Sequence, residues 1–95
     1  MTIEELKSEL EKVISSITSS GFSNIDSGIV AKLDKYAISA GELGMKEGKH
    51  LIQNLSAVLK AIEEGKSKAE SGTLRLTALD FYVKKLADSG HTEDL

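Results

Sequence analysis

Histidines, carboxylates and serines are the side chains here best equipped for catalysis or metal binding, and their spacing decides whether they can act together. The chain has 95 residues and only two histidines. Glu47 precedes His50 by three residues, and Asp94 follows His91 by three. One imidazole and one carboxylate fall short of the three or four ligands of a zinc site. Two solvated surface histidines are therefore expected. No serine lies in a nucleophile elbow or beside a local base. Gly41-Glu42-Leu43-Gly44 and the stretch to Gly48 lack the Lys-Ser/Thr ending that holds phosphate and magnesium. The absence of cysteine removes disulfides, thiol catalysis and thiolate metal sites. No catalytic residue, metal ligand or cofactor is assigned, and a non-enzyme is expected.

The second quarter of the chain holds the arrangement of most interest. Ser27, Ala31, Asp34, Ile38 and Gly41 recur at three- and four-residue intervals, so a helix would place them on one face. That face is rotated away from an apolar stripe of Val30, Leu33, Ala37 and Ala40. It offers small residues, one carboxylate and one branched apolar side chain, where a solvated helix surface normally carries Lys, Glu and Gln. The plainer reading is a wide core stripe with Ile38 tucked against a neighbouring helix, and single exposed apolar residues are in any case normal. The sharper reading is a docking surface, on which small residues let a partner approach closely.

The elements that must position these residues are helices. Ile3, Leu6, Leu10, Val13, Ile14 and Ile17 form the clearest stripe, and Thr2 with Glu5 has the spacing of a capping box. A second stripe runs through Ile29, Val30, Leu33, Ala37, Ala40 and Leu43 with Tyr36 at its edge. It follows the possible N-caps Asn24, Asp26 and Ser27 and stops at Gly44. Leu51, Ile52, Leu55, Val58, Leu59 and Ile62 make a third, with Gly65 just beyond its end. Leu76, Leu79, Val83 and Leu86 make a fourth, flanked by Leu74, Phe81 and Tyr82. Helices are expected over about 2–20, 26–43, 45–64 and 68–88, before a polar tail at 89–95. Residues 66–73 read equally as a loop or as the first turns of the last helix. Short links between neighbours predict an antiparallel up-down-up-down four-helix bundle, all-α and a single domain over 1–95.

Composition narrows the function classes. Apolar residues make up 40% and charged residues 28%, which fits a folded domain better than a disordered chain. No apolar run approaches the roughly 20 residues that span a bilayer, and the acidic N-terminus does not resemble a secretion signal. A cytoplasmic protein without a membrane segment is expected. The net charge of −3, with the twelve Lys and Arg scattered, gives no footprint for nucleic acid.

From Ala31 to Leu55 the chain resembles the histidine-containing phosphotransfer (HPt) domains of bacterial two-component relays. Those are four-helix bundles, often with an added N-terminal helix, whose second bundle helix carries His-x-Leu-Lys-Gly-Ser-small-x-x-Leu-Gly. The stretch here is Asp34-Lys35-Tyr36-Ala37-Ile38-Ser39-Ala40-Gly41-Glu42-Leu43-Gly44. Ser39, Ala40, Leu43 and Gly44 match, Ile52 and Leu55 fill the apolar positions that follow, and Glu64-Gly65 resembles the family's ending of the next helix. Asp34 stands in place of the phosphorylated histidine, Tyr36 in place of leucine, Ala37 in place of lysine and Ile38 in place of glycine. Asp cannot form a phosphoramidate. The resemblance therefore implies an HPt-like domain that has lost transfer and kept a surface for a receiver domain or a histidine kinase. Ser27, Ala31, Asp34, Lys35, Ile38 and Gly41 are its expected contact residues. The alternative is a structural or self-associating bundle without a signalling role. Either way a monomer or a weak homo-oligomer is expected.

Overall fold

A computed structural model of the chain describes residues 1–22, 25 and 27–89, the side chains of 27 and 87–89 excepted. Four α-helices follow one another: α1 (Ile3–Ser20), α2 (Ser27–Glu42), α3 (Lys46–Glu63) and α4 (Ala69–Ser89). No strand occurs among the described residues. The candidate N-caps Asn24 and Asp26, and the tail with His91 and Asp94, lie outside the described residues.

Local chemistry sets the helix ends. Thr2 Oγ1 accepts from the Glu5 N–H at 3.1 Å, while Glu5 Oε1 accepts from the Thr2 N–H at 2.8 Å. This capping box satisfies two N–H groups that the first turn leaves without helical partners. At the end of α2, Gly44 has φ 79°, its N–H reaches the Gly41 carbonyl, and the Met45 N–H reaches the Ala40 carbonyl. Gly65, with φ 77°, repeats that pair of bonds after α3, through Gly65 to Ile62 and Lys66 to Ala61. Both are Schellman closures, and they need a residue that takes positive φ without a Cβ penalty.

The helices share one apolar core. Leu6, Leu10 and Ile17 of α1, Leu33 of α2, Ile52, Leu55 and Leu59 of α3, and Leu79 and Val83 of α4 are all essentially inaccessible to water. α3 lies against both α2 and α4, and α1 touches α2 and α4 from the other side. The ambiguous stretch 66–73 divides at Ala69, where α4 begins. Gly72 is buried within α4 because Phe22, from the segment after α1, covers it. A Cβ on Gly72 would lie 2.6 Å from the Phe22 ring. No described helix is long and apolar enough to cross a membrane.

Two aromatic positions differ from the sequence-based expectation. Tyr36, expected at the edge of its stripe, is only 5% exposed. Its hydroxyl donates to Glu9 Oε1 of α1 at 3.0 Å, so the ring is buried while its polar tip stays paired. Phe81, placed beside the fourth stripe, instead points away from the core and is 64% exposed.

The Tyr36–Glu9 bond makes stability depend on pH. The hydrogen bond from Tyr36, followed by contacts from Lys12, holds the Glu9 carboxyl below its ordinary 4.5. A depressed carboxyl contributes stability above its unfolded pKa and loses it as pH falls through the folded value. Tyr36→Phe should therefore lower the melting temperature at neutral pH. The gap from wild type should narrow as the pH falls from about 6 to about 3. Thermal unfolding of both proteins across that range checks this, and a gap independent of pH would contradict it.

Candidate functional site

The surface where α2 meets α3 gathers most of the residues singled out in the sequence. Ala31, Asp34, Ile38 and Gly41 are all exposed on α2. Ile38 is 64% exposed, which overturns the plainer reading that it packs against a neighbouring helix. It lies past the edge of a core stripe already filled by Leu33, Ala37 and Ala40. Ser27 opens α2, and its side chain is not among those described. Lys35 stands apart. It faces α1 and lines a shallow groove with Met1, Glu5, Ser8, Glu9, Lys32 and Tyr36.

Three residues of α3 complete this surface. Ser56 Oγ donates to Asp34 Oδ1 at 2.7 Å, and Lys60 Nζ approaches Asp34 Oδ2 at 3.5 Å. Lys49 lays its stem over Gly41, with Cδ 3.3 Å from where a Cβ would stand. The glycine leaves room for that stem, so the ammonium is carried along the edge of the patch. Ile38 thus sits between two lysine-bearing positions, Lys49 beside Gly41 and Lys60 beside Asp34.

Asp34 is therefore not a bare charge waiting for a partner. The Lys60 pair is roughly half exposed at both ends, where screening leaves such a bridge little net stability. The Ser56 bond matters more, because that side chain is 3% exposed and its hydroxyl needs an acceptor. Asp34→Ala should cost about 1–2 kcal/mol by leaving a buried hydroxyl unpaired. Ser56→Ala should cost less, since it only returns a half-exposed carboxylate to water. Urea unfolding of the two variants checks the order. Equal losses would mean that the hydroxyl turns to a carbonyl of its own helix.

Among the described residues no group of three or more His, Asp or Glu side chains is placed to hold a metal ion. His50 is exposed on α3. The arrangement instead combines one exposed apolar side chain, the small exposed Ala31, a carboxylate held by Ser56 and two lysines, one of which covers Gly41. Sequence periodicity found the α2 half. Ser56 was the available signal for the other half, as a hydroxyl between Leu55 and Val58 within an apolar stripe, but its acceptor lies 22 residues away.

No family model matches the chain, and no curated protein or solved structure shows significant similarity to it.

Proposed function

We propose that this protein is a non-catalytic, HPt-like binding module of the cytoplasm, an up-down-up-down bundle that docks a receiver domain or a histidine kinase through its α2–α3 surface. The observation that carries the reading is the exposure of Ile38 between Asp34 and Gly41 on α2, where Ser39 and Ala40, with Leu43 and Gly44 in the turn that follows, resemble the HPt motif. Asp34 supplies a carboxylate where the family has its phosphorylated histidine, with about half the charge of a phosphoryl group. Its bond to Ser56 holds that carboxylate against α3. Lys49 and Lys60 suit a partner with carboxylates around an apolar contact, and charges on such a rim act chiefly on association rate and specificity.

The test is capture from native cytoplasm on immobilised wild type and Ile38→Glu, with bound proteins identified by mass spectrometry. A receiver domain or histidine kinase held by the wild type and lost from the variant supports the reading. Identical captures, or capture of neither class, count against it.

A further inference from the structure

Helix α4 is apolar on two opposite sides. Leu76, Leu79 and Val83 face the core, yet Leu74 and Phe81 are 72% and 64% exposed. Being seven residues apart, Leu74 and Phe81 fall within about 20° of one another around the helix, two turns along one line. The same line begins at the exposed Glu70, one turn before Leu74, and ends at Lys84 and Lys85, one turn after Phe81. The Lys85 ammonium lies 5.5 Å from the centre of the Phe81 ring, and Phe81 remains exposed beneath it.

This order of charges favours one occupant. We propose that the outer face of α4 pairs with the same face of a second copy of this chain, the two helices running in opposite directions about a two-fold axis between Thr77 and Ala78. In that register Leu74 of each copy meets Phe81 of the other, and Glu70 meets the Lys84–Lys85 pair. Both ends of the contact are then attractive and identical, as a two-fold interface requires. A parallel pairing would set Glu70 against Glu70 and lysines against lysines, which repel. Lys84, held to Asp80 at 3.1 Å within one chain, lies within a turn of the incoming carboxylate. Two apolar side chains from each copy make a small contact, so the dimer belongs to the weak class that forms between about 1 μM and about 1 mM. The inference is independent of the α2–α3 surface, since the residues involved are different.

Sedimentation equilibrium at low salt across that concentration range tests it. The wild-type mass should climb from one chain towards two, and association should weaken as salt is added. Leu74→Glu and Phe81→Ser, both on exposed positions and checked for unchanged helix content, should each remain monomeric. Glu70→Lys should weaken association about five- to tenfold. Combining it with Lys84→Glu and Lys85→Glu in the same chain should restore association. A wild type that stays monomeric throughout would overturn the proposal. So would a dimer that survives Leu74→Glu, or a Glu70→Lys loss that the reversed lysines fail to rescue.

Discussion

Leu55→Ala should lower the unfolding free energy by about 2–5 kcal/mol, a large share of the 5–15 kcal/mol usual for a domain of this kind. Leu55 is completely buried on α3, the helix that packs against both α2 and α4. Truncation removes the transfer free energy of the lost atoms and leaves a cavity that helices on both sides can close only in part. The following residue, Ser56, holds Asp34, so the loss falls at the junction that builds the candidate site. Leu74→Ala is the matched control. The same atoms are deleted from a side chain 72% exposed, and the change should stay within about 0.5 kcal/mol. Urea unfolding of both variants separates the faces. Comparable losses would mean that Leu55 is less tightly enclosed than its burial indicates.

Ile38→Glu should raise the dissociation constant for the α2–α3 partner about ten- to a hundredfold, with the melting temperature almost unchanged. Folding gains little from Ile38 because it is mostly in water. A contact with the partner would take that apolar area out of water, and glutamate would instead bring a charge to be desolvated at the centre of the patch. Calorimetric titration of a captured partner into each protein gives the ratio. An unchanged constant would place binding elsewhere, while a large fall in melting temperature would make Ile38 a packing residue after all.

The features legible in the sequence were those fixed by neighbours. Thr2 and Glu5 close a capping box because both partners lie within one turn. Gly44 and Gly65 stop helices because an amide must turn back with positive φ, and glycine does so without steric cost. Five of the six residues of the α1 stripe, Leu6, Leu10, Val13, Ile14 and Ile17, form its buried face, because no other side of that helix is as apolar, whereas Ile3 in the first turn is 43% exposed. α4 was harder to read. Its apolar residues lie on two sides, so spacing alone could place Leu74 and Phe81 only as flanks of the inner stripe. Tyr36 was placed at an edge because the carboxylate that lets it go inside, Glu9, is 27 residues away. The candidate site divides likewise. One helix's periodicity shows Ala31, Asp34, Ile38 and Gly41, whereas Lys49, Ser56 and Lys60 join them only through the packing of α3 on α2. Lys35 follows Asp34 in the chain, which turns it about 100° away around the helix and into the groove against α1.

Under the proposed function, the α2–α3 surface binds a two-component partner. The most direct measurement is amide chemical-shift mapping of the labelled chain during titration with receiver domains from its own cell. Shifts concentrated at Ala31, Asp34, Ile38 and Gly41 on α2 and at Lys49, Ser56 and Lys60 on α3, and abolished in Ile38→Glu, are the predicted result. Shifts confined to α1 or α4, or none with any receiver domain, would contradict the claim.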